Sequence, residues 1–139
     1  MNLNFKPQFA DKILSGQKIH TLRYGERWKK GNKIHFYTGL RTKDASLFAR
    51  GVVKDIYAGF DWDSECARFF LHPIISQDYV RNILGGQMPS GPREFWDLVA
   101  KNDGFSDFSE MKEFFLKNGK DGGYQLIVWE IEEKIGGVK

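Results

Sequence analysis

The sequence is poor in residues that bind metals or form covalent cross-links. Its single cysteine, Cys66, excludes an intramolecular disulfide bond. Its three histidines, His20, His35 and His72, are too scattered to match the ligand spacing of a zinc site. We therefore expect no structural metal and no cofactor.

Long hydrophobic runs are also missing. Apolar stretches such as 126–129 are far shorter than the roughly 20 residues that a helix needs to cross a bilayer. Lys6, Asp11 and Lys12 interrupt the start of the chain, which argues against a secretory signal peptide. We expect a cytoplasmic protein that makes no contact with membranes.

What the chain does contain is enough apolar surface for one core. Its 139 residues include 12 Phe, 5 Tyr and 4 Trp, and 41% of the residues are hydrophobic. A chain of this length is typical of one domain, and aromatic side chains bury a large area each. We expect a single domain over residues 1–139, without internal repeats or low-complexity segments.

Positive charge is concentrated in the first part of the chain. Residues 1–54 carry twelve Lys or Arg and three acids, a net charge of +9, whereas the remainder carries −6. A basic surface raises the local concentration of polyanions and speeds their encounter with the protein. Nucleic acids and nucleotides are therefore the leading class of ligand, although individual lysines are as often simple solvated charges.

Hydrophobic periodicity and helix-stop signals predict an α+β fold with a small β-barrel or a curled mixed sheet and flanking helices. The predicted strands are 3–6, 19–24, 33–37, 47–57 and 124–131, and the first three predicted helices are 7–15, 77–84 and 92–101. A fourth helix is capped by Ser106 or Asp107 and has on its apolar face Phe108, Met111, Phe115 and Leu116. The last strand is apolar on both faces, which indicates a central position in the sheet. Residues 58–92 are treated as an elaborated connection, and residues 136–139 as an exposed tail.

The most distinctive motif follows the first helix, where Gly16, Lys18, Thr21 and Arg23 occur within eight residues. Thr21 and Arg23 point to one face of a strand, and Lys18 joins them only from the turn after the helix or beside a bulge. An ammonium, a hydroxyl and a guanidinium would then converge on one pocket. The alternatives are that Thr21 is only a strand former and that Lys18 is a solvated charge near the helix end.

A second motif, residues 23–30, interleaves aromatic and cationic side chains. Arg23, Tyr24, Arg27, Lys29 and Lys30 are candidate substrate-binding residues, because aromatic faces stack on bases while cations meet phosphates. The alternative is a cationic hairpin in which the neighbouring tryptophan folds onto the core, and for that tryptophan we favour the core.

Four motifs in order resemble an ASCH domain, a family of the PUA-like superfamily. They are the Gly16–Arg23 string, the turn 31–34 into a strand, Ala100–Phe105 before a Phe-rich helix, and the closing strand 126–129. The resemblance covers roughly residues 2–57 and 95–131. It implies a small β-barrel with helices around it and recognition of RNA or of a modified nucleobase in a cleft.

The resemblance also extends to an enzymatic branch, the bacterial acetylcytidine amidohydrolases. It implies that Lys18 is the catalytic lysine, Thr21 the nucleophile and Asp103 the acidic residue. Asp103 stands where those enzymes have glutamate, and Ile19 follows the lysine where the family often has threonine. By its backbone chemistry alone, the Asp103–Gly104 pair is also a good turn between two helices.

The proposed chemistry makes opposite demands on the charges around Lys18. A threonine hydroxyl needs an adjacent base, and a lysine serves as one only when burial or a nearby cation lowers its pKa. Arg23 is a candidate for that cation. Asp103 would raise the pKa of the lysine, so it is better assigned to orienting the substrate or relaying protons.

Two main functions therefore remain open. The favoured one is an ASCH-type module that recognises RNA or a modified nucleobase or nucleoside in a basic cleft, and the alternative is a small amidohydrolase that deacylates a modified cytidine. A nuclease is less favoured, because there is neither a cluster of carboxylates nor a histidine pair. A protein-interaction role for residues 58–92 and the oligomeric state also stay open.

Overall fold

A computed structural model describes residues 1–135 of the chain and shows a mixed sheet with four helices. The expected exposed tail, residues 136–139, lies outside the described residues. The elements in chain order are β1 (Asn2–Phe5), α1 (Pro7–Leu14), β2 (His20–Tyr24), β3 (Lys33–Thr38), β4 (Ser46–Asp63), β5 (Arg68–Phe70), α2 (Pro73–Asn82), α3 (Pro92–Asn102), α4 (Phe108–Asn118) and β6 (Gly122–Lys134).

The sheet has the strand order β1-β3-β4-β6-β2, with β5 paired to β4 outside this path. The β1–β3 pair is parallel and the other pairs are antiparallel. The α+β class is confirmed, but the hydrogen-bonded path is open, so the sheet does not close into a barrel. Its two edges, β1 and β2, are bridged by a side chain instead, since Arg23 Nη2 on β2 donates to Asn4 O on β1 at 2.7 Å.

The two long strands, β4 and β6, form the middle of the sheet. Their register shifts at three places, and such irregularities bend and twist a strand. At Gly51 a Cβ atom would lie 2.4 Å from Glu130 O, so the close approach of the two strands requires glycine there. The predicted central position of the last strand is confirmed, because β6 lies between β4 and β2.

Residues 58–92 contain more regular structure than the predicted connection. β4 continues to Asp63, well past the predicted end at Tyr57, and turns into the short strand β5. The helix predicted over 77–84 begins earlier, at Pro73, because His72 caps it by accepting a hydrogen bond from Ile74 N.

The last helix confirms its predicted cap and corrects its predicted apolar face. The Asp107 carboxylate accepts a hydrogen bond from Glu110 N at 2.9 Å and begins α4. Met111 and Phe115 are buried as expected, whereas Leu116 is 50% exposed. Leu116 is one residue beyond the buried Phe115, and one helical step of 100° turns it away from the core.

None of the helices in the described part of the chain has the length and apolar character that a membrane crossing requires.

Candidate functional site

Lys18 lies in the turn between α1 and β2, outside the alternation of the strand. Gly16 closes the helix with φ = +83°, a conformation that residues with a Cβ atom adopt rarely. Because Lys18 precedes the strand, its side chain is not forced onto the face opposite to Thr21 and Arg23. All three side chains line one cavity, together with Asp103 from the end of α3.

This cavity, called here the Lys18 cleft, has a volume of about 350 Å³. It lies where α1, α4 and the turn after α3 meet the edge strands β1 and β2. It is lined by Asn4, Phe5, Lys6, Phe9, Lys18, Thr21, Leu22, Arg23, Tyr24, Asp103, Phe105, Phe114, Phe115, Asn118, Gly119, Lys120 and Tyr124. Aromatic rings and four cations therefore surround a single acidic side chain.

The ammonium of Lys18 is buried against Asp103. Its Nζ donates to the backbone oxygen of Asp103 at 2.5 Å and lies 3.5 Å from the carboxylate Oδ2. The same Nζ lies over the ring of Phe9, 5.0 Å from its centroid. Burial lowers the pKa of Lys18 to about 8, and Arg23 contributes in the same direction, although the Asp103 carboxylate opposes both.

Asp103 is in turn held by a hydrogen-bonded chain of buried groups. Its Oδ1 lies 2.7 Å from Nδ1 of His20, and Nε2 of His20 lies 2.8 Å from the hydroxyl of Tyr79 on α2. The Tyr79 hydroxyl accepts from Asn102 Nδ2 at 3.2 Å. Burial lowers the pKa of His20, which favours the neutral ring. These partners fit a neutral imidazole that donates through Nδ1 and accepts at Nε2.

Arg23 is packed against a ring and only partly hydrogen-bonded. Its Cζ lies 4.8 Å from the ring centroid of Phe5, and Nη2 donates to Asn4 O. Within residues 1–135, the buried Nε has no hydrogen-bond partner. Burial lowers the pKa of Arg23 to about 10, so the side chain stays charged at neutral pH. Its remaining terminal N–H groups are free to meet a ligand in the cleft.

Thr21 contributes a hydroxyl to the same cleft from the middle of β2, where it pairs with Ile127. It is 6% exposed. The hydrogen bond of the Lys18 ammonium goes to Asp103, not to Thr21. The nucleophile and base that the resemblance implies therefore share a cavity without a direct hydrogen bond between them.

The predicted substrate-binding residues of the second motif are separated. Tyr24 lines the Lys18 cleft, and the ammonium of Lys120 lies 4.6 Å from its ring centroid. Arg27 lines an adjacent groove instead. Lys29 and Lys30 are exposed and line neither cavity.

The tryptophan of that motif, Trp28, is 4% exposed and belongs to the core, as expected.

The Asp103–Gly104 pair is both a turn and part of the cleft. Gly104 has φ = +93°, and a Cβ atom there would lie 3.1 Å from Lys18 Cδ and 3.2 Å from Phe9 Cδ1. The glycine thus permits the turn and also lets the lysine and the ring of Phe9 pack against the backbone. The Asp103–Gly104 pair can therefore form a turn and line the cleft at the same time.

Sequence reasoning missed several groups that shape the site. His20 lies inside the Gly16–Arg23 string and directly precedes Thr21. Strand alternation places it on the face opposite to Thr21, so no role was predicted for it. Tyr79 and Lys120 come from distant segments, and no local pattern marked either of them. Within residues 1–135, no three His, Cys, Asp or Glu side chains come together as metal ligands.

No protein-family model and no curated protein sequence matches the chain. Among solved structures, a point mutant of an ASCH protein from Zymomonas mobilis is similar, with a TM-score of 0.50 and 13% identity over 96% of this chain and 73% of that one. The chain has the fold of an ASCH domain. A second point mutant of the same protein gives a TM-score of 0.50 and 13% identity, and covers 93% of this chain and 66% of that one. The ASCH resemblance is therefore confirmed for the fold.

Proposed function

We propose that the Lys18 cleft recognises a nucleobase or nucleoside, free or within RNA. The observation that carries this proposal is the convergence of Lys18, Thr21 and Arg23 in one sheltered, aromatic cavity. Binding sites for small molecules are typically concave, largely apolar and furnished with a few placed polar groups. A volume of about 350 Å³ lies at the small end of that class and suits a nucleobase.

The aromatic lining supports a planar ligand. Phe105, Phe114 and Tyr124 bring ring surface to the cleft from the turn after α3, from α4 and from β6. Every nucleobase has a π face, and stacking on an aromatic side chain contributes about 1–3 kcal/mol per base. Tyr24 is 49% exposed at the rim, where its ring is available to a ligand.

The polar groups suit the edge of a base that is rich in acceptors. Arg23 and Lys18 present only donors, whereas the Thr21 hydroxyl can donate or accept. Cytosine offers the O2 and N3 acceptors along its pairing edge, and an acetyl group on N4 adds a carbonyl oxygen. The cleft therefore favours cytidine and its N4-acyl derivatives as the first ligands to test.

The test is titration with cytidine, N4-acetylcytidine and a short single-stranded RNA, followed by calorimetry and NMR. We expect at least one probe to bind, and Arg23→Met to weaken it about tenfold or more, because a hydrogen bond to a charged group contributes about 1.5–3 kcal/mol. Arg93→Met is the matched control, since Arg93 is exposed and lies outside the cleft. The proposal is wrong if no probe binds, or if both variants weaken binding equally.

A second candidate, an amidohydrolase, is favoured by one specific observation. The pKa of Lys18 is lowered to about 8, so a useful fraction of the amine is neutral near pH 8, in the same cavity as Thr21. In the first step, Thr21 Oγ would attack the acetyl carbonyl of N4-acetylcytidine while Lys18 Nζ takes the hydroxyl proton. The amine N4 would leave with that proton, and water would then hydrolyse the acetyl-threonine ester to acetate.

This candidate is tested by incubation with N4-acetylcytidine and chromatographic detection of cytidine and acetate. Thr21→Val keeps the shape of the side chain and removes the nucleophile, so it should abolish turnover and leave binding within a few fold. A Thr21→Val protein that still released cytidine would eliminate the threonine mechanism. Binding without turnover in the wild-type protein would leave recognition as the function.

A further inference from the structure

A second concave surface lies along the open side of the sheet. This seam groove has a volume of about 470 Å³ and lies between the two edge strands, β1 and β2. It is lined by Asn2, Leu3, Asn4, Arg23, Tyr24, Arg27, Trp28, Leu40 and Arg41. The groove exists because the sheet stays open at this place.

Three arginines make the lining of the seam groove positively charged. Arg23, Arg27 and Arg41 come from β2, from the turn after it and from the loop after β3. Among residues 1–135 none of the three forms an ion pair, and no acidic side chain lines the groove. The nearby Glu26 is exposed and is not part of the lining. An anion in the groove would therefore meet three guanidiniums and no lining carboxylate, although Asp103 acts on Arg23 from the Lys18 cleft.

Within residues 1–135 most donors of the three guanidiniums are unpaired, since only Arg23 uses a terminal N–H group, in its hydrogen bond to Asn4 O. The Arg27 guanidinium lies over the ring of Trp28, with Cζ 5.6 Å from the ring centroid, a cation–π contact that does not use its N–H groups. Asn4 ties the loop before Arg41 to β1, because its Oδ1 accepts from Leu40 N at 2.8 Å. The groove thus has an ordered wall on each side.

The seam groove borders the Lys18 cleft. Asn4, Arg23 and Tyr24 line both cavities, with Arg23 bridging β2 to β1 at the border. A nucleotide has its phosphate on the other side of the ribose from its base. A base in the Lys18 cleft would therefore direct a phosphate past Arg23 towards Arg27 and Arg41.

We propose that the seam groove is a phosphate-binding subsite, so that the ligand of the cleft is a nucleotide rather than a free nucleoside. This inference rests on the proposed nucleobase recognition. Phosphate is the anion that fits, because a guanidinium can make two parallel hydrogen bonds to two phosphate oxygens. The phosphate belongs either to a mononucleotide or to an RNA strand whose backbone follows the groove.

The experiment compares matched probes by calorimetry at low and moderate salt: N4-acetylcytidine, its 5′- and 3′-monophosphates, and a trinucleotide with acetylcytidine in the middle. We expect at least one phosphate-bearing probe to bind about tenfold more tightly than the nucleoside, with a difference that shrinks as salt increases. A gain confined to the trinucleotide identifies an RNA strand, whereas a full gain with a monophosphate identifies a mononucleotide.

The double variant Arg27→Gln/Arg41→Gln should remove most of that gain. Lys43→Gln/Lys54→Gln is the matched control, because it removes the same charge from exposed residues that line neither cavity, one of them in the Arg41 loop. Equal affinity for nucleoside and nucleotides, or equal losses in both double variants, would overturn the subsite while leaving nucleobase recognition standing. If no probe binds at all, both proposals are wrong.

Discussion

Lys18 is the residue whose role differs most between the two candidate functions. As a cation it donates hydrogen bonds and attracts an acceptor-rich or anionic ligand. As a neutral amine it would take a proton from Thr21 in the proposed hydrolysis. Because burial lowers its pKa to about 8, both forms exist in an accessible pH range.

The pH dependence therefore separates recognition from hydrolysis. If the cleft only binds, affinity for a cytidine ligand should fall as pH rises through about 8, because the ammonium loses its charge. If Lys18 is a general base, the rate of N4-acetylcytidine hydrolysis should rise through the same range and level off above it. Calorimetry and an initial-rate profile between pH 6 and 9.5 measure the two effects. A flat profile in both would show that Lys18 plays neither role.

The Tyr79 hydroxyl contacts His20 and Asn102, the residues next to Thr21 and Asp103 in sequence, which makes it a test of the buried chain. Tyr79→Phe leaves Nε2 of His20 without its donor and Nδ2 of Asn102 without its acceptor, so we expect a loss of about 1–3 kcal/mol in unfolding free energy. We also expect a change in the imidazole ¹⁵N shifts, because the tautomer is no longer held. Chemical denaturation and ¹⁵N NMR measure the two effects.

Tyr57→Phe is the matched control for that change. Its hydroxyl accepts from Asn82 in a partly buried place, so its removal should cost less than about 1 kcal/mol and leave the His20 signals in position. Equal stability losses and unchanged ¹⁵N shifts in the Tyr79 variant would contradict the hydrogen-bonded chain described here.

Among the elements, the turn that joins α3 to α4 contributes most directly to the cleft. It places Asp103 at the end of α3, and its glycine packs against the Lys18 stem. Lys12 Nζ also donates to Gly104 O at 2.6 Å, which ties α1 to the same turn. The position of Lys18 in the cleft therefore depends on a turn that is distant in the sequence.

Gly104→Ala tests this dependence. The new methyl would lie 3.1 Å from Lys18 Cδ at φ = +93°, so we expect a destabilisation of about 1–3 kcal/mol and a loss of ligand affinity. Gly16→Ala is the control, because it has a similar φ of +83° but nothing within 4 Å of its Cβ position. It should show backbone strain alone and retain binding. Thermal unfolding and calorimetry compare the two, and equal effects would contradict the packing role.

For the molecule as a whole, one buried cation connects the site to the pH dependence of stability. The pKa of Lys18 is about 8 in the folded protein and 10.5 in its unperturbed state. Between these values the unfolded chain binds more protons, so the free energy of unfolding rises with pH. The cost of keeping a charged group in the cleft is therefore greatest below pH 8.

Lys18→Met removes this contribution. Urea denaturation at pH 7 and pH 9.5 should show wild-type stability rising relative to that of the variant, because only the wild-type protein relieves a buried charge as pH increases. Groups common to both proteins cancel in the comparison. Parallel changes in the two proteins would show that Lys18 has an ordinary pKa in the fold.

Sequence alone determined the local structure of this protein. The stop at Gly16, the cap at Asp107 and the apolar faces of β6 are read from neighbouring residues, because helix ends and strand burial depend on short-range spacing. Tertiary structure decided the site. Lys18 and Asp103 are 85 residues apart, and His20 and Tyr79 are 59 apart, so no local pattern joins them. The tertiary structure also places Lys29 and Lys30 outside the cleft and leaves the sheet open at the seam groove. The packing of segments that are distant in sequence decides both the position of these lysines and the opening of the sheet.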